Sequence, residues 1–319
     1  MIILCFLVQF VTLFPYTTPR VLYLNPYSDV QQFWKTIALQ DLKDHCGMNP
    51  KERRLKPRIV KGSTASFTDH FNLAVFLNNR GTPFCHGSLI HPKFVLTAGH
   101  CVKNWDNRNQ ILLGAFDLTK NTNYERRYTA ENIILHQNFD LEELFNDIAL
   151  IELDKVFIPN REGRINFACL PTFNESCNEY HGYEGYIAGW GKYRNNNFLS
   201  STSNTLRKAT VPIVNNTECR KMYNNENFQT SYICAGYLRG KKDSCAGDSG
   251  GPLVVKVKNN NNESIFKQIG VASWGYECGE PLRPGVYTCL TSYLSWINSK
   301  INPKIAKYKR DYKQQNSII

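Results

Sequence analysis

Gly247-Asp248-Ser249-Gly250-Gly251-Pro252 runs directly into Leu253-Val254-Val255-Lys256-Val257, an apolar stretch of strand length. Glycines flank the serine, so main-chain N–H groups are left open to a ligand. Hydrolysing an amide needs an activated nucleophile, a base beside it, a group that orients the base, and donors for the oxyanion. Two earlier segments supply what this turn lacks. Thr97-Ala98-Gly99-His100-Cys101 places a histidine after an apolar run, and Asn146-Asp147-Ile148-Ala149-Leu150 places an aspartate at the entrance to another. Taken singly, a histidine at a strand end is usually structural and an aspartate after asparagine is usually a turn former. Taken together, in the order His, Asp, Ser, they form the set that serine nucleophiles require.

The same texture extends outward from these segments. Leu73–Leu77, Phe94–Thr97, Ile111–Leu113, Ile148–Leu153 and Leu253–Val257 are short apolar runs bounded by Gly, Pro, Asn or Asp, which predicts strands. Asn195–Asn197 and Asn259–Asn262 read as loop insertions between strands. Ser292–Ile297 has helical spacing and Pro303 follows soon after, so a short helix is expected to close the domain. With 42% hydrophobic residues in 319, the chain has enough apolar side chain for a sizeable core. The expectation is an all-β domain of about 240 residues from Ile59 onward.

The flanks differ from this centre. The apolar run Ile2–Phe14, followed by Pro15 and Pro19, is shorter than a membrane span and suits a secretory leader. Eleven cysteines are present, and setting aside Cys5 in the leader leaves ten, an even number that suits an oxidising compartment. Asn174, Asn215 and Asn262 begin Asn-x-Ser/Thr triplets and are candidate glycosylation sites. Net charge is +11, but residues 1–58 carry +4 and 299–319 carry +5, leaving +2 for 59–298. Basicity therefore belongs to the flanks, and the central domain gives no sign of a nucleic-acid or membrane partner. The expected order is a leader over 1–16, a pro-segment over 17–58, a catalytic domain over 59–298, and a basic, solvated tail over 299–319.

The three motifs, in this order, resemble the chymotrypsin family in its trypsin-like branch, over Ile59 to about Ile297. The resemblance implies two six-stranded Greek-key β-barrels with the active site between them and a C-terminal helix. It implies Ser249 as nucleophile, His100 as general base and acid, and Asp147 as the group that orients His100. Gly247 and Ser249 would supply the oxyanion-hole N–H groups, and Ser273 would support the buried aspartate. Asp243 matches the acidic residue at the base of the primary pocket, with Gly275 and Gly285 as its walls and Tyr223 at its border. Cleavage after Arg or Lys follows. Ala115 stands where the trypsins carry an acidic calcium ligand, and Pro284 stands where sodium-regulated members carry an aromatic, so no metal cofactor is expected. His86, in Cys85-His86-Gly87, occupies a usual glycine position.

Resemblance also suggests the bridges Cys46–Cys169, Cys85–Cys101, Cys177–Cys289, Cys219–Cys234 and Cys245–Cys278. Pro57-Arg58-Ile59-Val60 looks like an activation site, where the freed amino group of Ile59 pairs with Asp248. Cys46 would then tether the cut pro-segment. Expected partners are protein substrates with Arg or Lys at the cleaved position, an upstream activating protease, and a serpin-type inhibitor. A cascade protease is the leading reading. A digestive or venom trypsin is a second, and a catalytically dead homologue acting as an adaptor is a third, although all three triad residues are present.

Overall fold

The computed structural model describes residues 46–47, 63–64, 72–120, 122, 125–157, 165–193, 201–224, 228–239, 248–275 and 281–316. It gives the backbone alone for 63–64, 192–193, 201–202 and 308–316. Arg58, Ile59, Asp243, Gly247 and the Cys245–Cys278 pair lie outside the described residues, as do the leader and the pro-segment apart from Cys46 and Gly47.

The first half builds one sheet from β2 (Leu73–Leu77), β3 (Pro83–His91), β4 (Phe94–Thr97), β5 (Gln110–Leu113), β6 (Arg126–Tyr128), β7 (Ala130–Leu135) and β8 (Ala149–Leu153). Its order is β6-β5-β2-β3-β4-β8-β7, antiparallel throughout. β6 and β7 are successive parts of one segment broken at Thr129, so the two edges of the sheet belong to a single piece of chain. The sheet thus curls into a barrel that is less fully closed than its partner. The expected apolar runs appear here at close to their predicted limits.

The second half closes completely. β9 (Glu184–Gly189), β12 (Arg207–Val214), β13 (Tyr232–Ala235), β16 (Gly285–Cys289), β15 (Ser264–Trp274) and β14 (Pro252–Lys258) follow one another around a ring, because β12 and β14 both pair with β9. The short β1 (Ser63–Thr64) adds to β12, and β10 (Lys192–Tyr193) pairs with β11 (Ser201–Thr202). Asn259–Asn262 forms the tip of the β14–β15 hairpin, as expected of an insertion.

Strand β2 shows why both barrels share a wall. All five of its residues are buried, although a strand exposed on one face would alternate. Ala74 and Phe76 point into the first barrel with Leu89, Val95 and Leu113. Leu73, Val75 and Leu77 point the other way, into a cluster with Leu112, Ala115, Ala188, Trp190 and Leu206 that joins the barrels. Period-two geometry therefore sends one strand's side chains to two different cores. The site lies along this seam.

Three α-helices complete the described chain: α1 (Gly99–Val102), α2 (Asn216–Tyr223) and α3 (Leu294–Asn316). α3 corrects the reading of 299–319 as a solvated tail. The helix continues through Pro303 to Asn316, with Ile301 fully buried and Ile305 nearly so against the first barrel. Lys304 donates to the buried carboxylate of Glu152 on β8. An apolar contact every four residues, reinforced by an ion pair, outweighs the backbone bond that Pro303 removes.

Candidate active site

Asp147 is fully buried and its carboxylate is held by three donors. The His100 main-chain N–H donates to Oδ1 at 2.8 Å, His100 Nδ1 lies 2.7 Å from Oδ2, and Ser273 Oγ donates to Oδ2 at 2.5 Å. Thr288 Oγ1 donates to the Asp147 main-chain oxygen at 2.9 Å, so neighbouring strands β15 and β16 both fix this residue. Burying a carboxylate is tolerable only when it is paired and bonded in this way.

Local geometry explains how the chain presents it. Asn146 adopts a left-handed backbone with φ 52°, a conformation that asparagine tolerates better than most residues. Its Nδ2 donates to the Asn138 oxygen at 2.8 Å and its Oδ1 accepts from the Tyr293 hydroxyl at 3.0 Å. The backbone turns inward there and delivers Asp147 under α1. His100, at the start of α1, keeps 21% of its side chain exposed and so faces the seam rather than the core.

The Ser249 turn is pinned from three sides. His86 N–H donates to the Ser249 oxygen at 2.8 Å, Gly250 N–H to the Ala272 oxygen at 2.8 Å, and Gly251 N–H to the Asp248 oxygen at 3.1 Å. Gly250 has φ +77°, and a Cβ there would stand 2.4 Å from both the His86 oxygen and Thr97 Oγ1. The same point lies 3.1 Å from Cys101 Sγ, so the serine turn is packed on the disulfide beside His100. Glycine is required at 250 on both conformational and steric grounds.

Four predicted bridges are formed: Cys46–Cys169, Cys85–Cys101, Cys177–Cys289 and Cys219–Cys234. Cys85, His100 and Cys101 cluster as metal ligands would, but both sulfurs are spent in the bridge and no thiolate remains to bind an ion. Cys46 is buried, and Gly47 continues its anchorage, donating to the Phe167 oxygen and accepting from the Phe266 N–H, each at 3.1 Å. Of the candidate glycosylation sites, Asn174 and Asn262 are exposed, whereas Asn215 caps α2 by accepting from the Glu218 N–H at 2.7 Å.

Gly275 and Gly285, expected as walls of a primary pocket, lie close together. A Cβ on Gly275 would lie 3.7 Å from Gly285 Cα, so the two backbones face one another across a narrow gap. Tyr223 OH donates to the Pro284 oxygen and its ring packs edge-on against Trp274 at 5.0 Å. Sequence reading missed the rest of this support. Phe228 stacks on Tyr223 and also meets Tyr232 and Trp274, which makes a four-ring cluster beside Gly275. Its signal is compositional only, because the four aromatics come from a helix, a loop and two strands and share no period.

Two curled antiparallel barrels, a buried carboxylate under a histidine at their seam, and a glycine-bound serine turn define the two-barrel serine peptidases. Residues 59–297 match the family model described as Trypsin, and the chain belongs to that family. It is a serine endopeptidase acting on protein substrates. Over 222 residues it is 37% identical to Trypsin-1 of Astacus astacus, covering 68% of this chain and 87% of that one. It is 34% identical over 269 residues to the Clotting factor G beta subunit of Tachypleus tridentatus, covering 79% and 81% respectively. It is 35% identical over 270 residues to the Hepatocyte growth factor activator serine protease of Mus musculus, covering 81% of this chain and 39% of that one.

Proposed function

We propose that the protein is an exported zymogen which, once cut at Arg58-Ile59, cleaves after Arg or Lys by limited proteolysis in an extracellular cascade. Ser249 attacks the scissile carbonyl, His100 takes its proton and returns it to the leaving amine, and Asp147 holds the imidazole and stabilises its cation. The N–H groups of Gly247 and Ser249 receive the oxyanion. Asp243 receives the substrate cation. The observation that carries the chemistry is the His100–Asp147 pair, closed from behind by Ser273.

Strand pairing supports the activation step. Ser63 pairs with Lys208, and Lys208 pairs on its other side with Ala188, next to Gly189 where the Asp248 carboxylate sits. Two strand spacings separate Ser63 from Ala188, about 10 Å. The four residue steps from Ile59 to Ser63 reach about 13 Å when extended. The freed amino group of Ile59 therefore has the length to meet Asp248. The buried Cys46–Cys169 bridge supports retention of the cut pro-segment, and homology to a clotting-factor subunit supports a cascade. Ala115 packs among the apolar side chains joining the barrels, which supports a fold that works without calcium at that loop. Among the described residues, no helix is long and apolar enough to cross a membrane.

The test is to express the full chain, cut it at Arg58, and compare cut and uncut protein. A fluorophosphonate should label Ser249 strongly only after cutting, and a peptide library should show Arg or Lys at the cleaved position. Absence of labelling after cutting would leave the adaptor reading, and preference for Phe or Leu would remove Asp243 from its role.

A further inference from the structure

Two residues just before Asp147 have left-handed backbones, Leu144 with φ 55° and Asn146 with φ 52°. Asparagine tolerates this region, but a bulky leucine keeps it only where its surroundings hold it there. Both residues belong to the connection between β7 and β8 in the first barrel, yet donors from the second barrel reach them. Tyr232 Oη donates to the Leu144 oxygen at 3.0 Å, and Tyr293 Oη donates to Asn146 Oδ1 at 3.0 Å. Tyr232 opens β13 and stands opposite Thr288 on β16, whose hydroxyl reaches the Asp147 oxygen at 2.9 Å. Tyr293 ends the short 3-10 helix Leu290–Tyr293 that follows β16. Three hydroxyls of the second barrel thus hold residues 144, 146 and 147.

The surroundings leave this segment little slack. Phe145, between the two left-handed residues, packs on the cluster that contains Tyr223, Phe228 and Tyr232. Ile148 N–H donates back to the Asn146 oxygen at 2.8 Å, a three-residue turn centred on Asp147. A rotation at residue 144 or 146 is therefore passed straight to the Asp147 side chain. Tyr232 and Tyr293 are both buried. Burial raises both phenols above the ordinary tyrosine value, and the Asp147 charge adds to this, so each keeps its proton as a donor at neutral pH.

We propose that Tyr232 and Tyr293 are positioning residues for Asp147, whose hydroxyls hold the strained Leu144–Asn146 segment and so set the direction in which the carboxylate meets His100. The inference rests on the reading of Asp147 as the group that orients His100. Without the Tyr232 bond, Leu144 relaxes toward an ordinary backbone conformation, and Asp147 swings with it. Without the Tyr293 bond, Asn146 loses the contact that fixes its side chain against the second barrel. A small displacement of an orienting group lowers the rate without weakening substrate binding.

The test compares cut wild type with cut Tyr232→Phe, Tyr293→Phe and the double variant, all of which keep the rings and their packing. kcat and KM are measured on an Arg-containing amide, with melting temperature as the check on folding. The rate of fluorophosphonate labelling of Ser249 is read alongside, because it needs no particular substrate side chain. Each single variant should lose about threefold to tenfold in kcat and in labelling rate, the range for one neutral hydrogen bond. The double variant should lose about tenfold to a hundredfold, with KM unchanged throughout. Leu144→Gly supplies a rescue, since glycine takes a positive φ without strain. In that background Tyr232→Phe should cost about twofold or less.

Unchanged kcat and labelling in either single variant overturns the proposal, even if the melting temperature falls, because a packing role alone gives that result. A loss confined to KM overturns it, as does a Tyr232→Phe loss that is equally large in the Leu144→Gly background. Asp147→Asn is run in parallel. If it keeps the wild-type kcat and labelling rate, the reading of Asp147 has failed and this inference with it. If it loses both while the Phe variants match wild type, the inference about Tyr232 and Tyr293 alone has failed.

Discussion

Ser273 Oγ stands 2.5 Å from Asp147 Oδ2, the same oxygen that His100 Nδ1 meets at 2.7 Å. One carboxylate oxygen thus serves both the catalytic imidazole and a buried hydroxyl from the opposite barrel. Because Asp147 is fully enclosed, no water replaces a donor that is removed. The hydroxyl fixes the carboxylate plane, and through it the direction in which His100 presents its outer nitrogen.

Ser273→Ala should therefore lower kcat/KM about tenfold to a hundredfold, the range for a lost hydrogen bond to a charged group. KM should change little, since the substrate never touches this hydroxyl. Steady-state kinetics on an Arg-containing amide measure the split. A change confined to KM would count against the positioning argument.

Gly250→Ala tests the pinning of the nucleophile turn. Its φ of +77° and the two oxygens 2.4 Å from its Cβ position combine conformational strain with collision against the His86 main chain and the Thr97 hydroxyl. The strain alone is about 1–2 kcal/mol, and relief of the collision must move Ser249. A lowered melting temperature together with loss of fluorophosphonate labelling is expected. Unchanged labelling at normal stability would show that the turn adjusts freely.

These two cases also show what the sequence made legible. Leu73–Leu77 and Phe94–Thr97 were readable as strands because short apolar runs between turn residues have few other uses. His100, Asp147 and Ser249 were readable because each sits in a distinctive local context. The pairing of Lys208 with both Ser63 and Ala188 was not readable, since register across 145 or 20 residues leaves no local mark. The Tyr223–Phe228–Tyr232–Trp274 cluster was hidden for the same reason. Pro303 misdirected the reading of α3: a proline usually ends a helix, and its cost was offset by Ile301, Ile305 and the Lys304–Glu152 pair, all of them tertiary.

Ile301→Ala measures that offset. Ile301 is fully buried in the first barrel's core, and removing such a side chain costs about 2–5 kcal/mol. Thermal or urea unfolding of the inactive zymogen should show a loss in that range. Truncation after Ser299 should cost at least as much, because Ile305 and the Lys304–Glu152 contact go with it. A truncated chain as stable as the full one would restore the view of this segment as a tail.

Cys46→Ser tests the tether. After cutting at Arg58, the wild-type fragments should separate on a gel only under reducing conditions, whereas the variant's should separate without reductant. The Cys46–Cys169 bridge is not part of the His100–Asp147–Ser273 arrangement, so kcat/KM of the cut variant should stay close to wild type. Separation of the wild-type fragments without reductant would remove Cys46–Cys169 as the link.

If the proposed activation step holds, Asp248 sets the alkaline limit of the cut enzyme. A free α-amino group titrates near about 7.7–8.0, and the proposed pairing of the Ile59 ammonium with the Asp248 carboxylate would raise that value in the ordered state. A raised value means that the contribution is complete below the unpaired pKa and is lost as pH climbs through the paired one. kcat/KM and benzamidine affinity should both hold to about pH 8 and fall above it. Asp248→Asn should lower both across the whole range instead of shifting the limit, because a buried ammonium left without its carboxylate costs about 3–5 kcal/mol. Activity that stays level well above pH 10 in the cut wild type would mean that the Ile59 ammonium does not order the Ser249 turn.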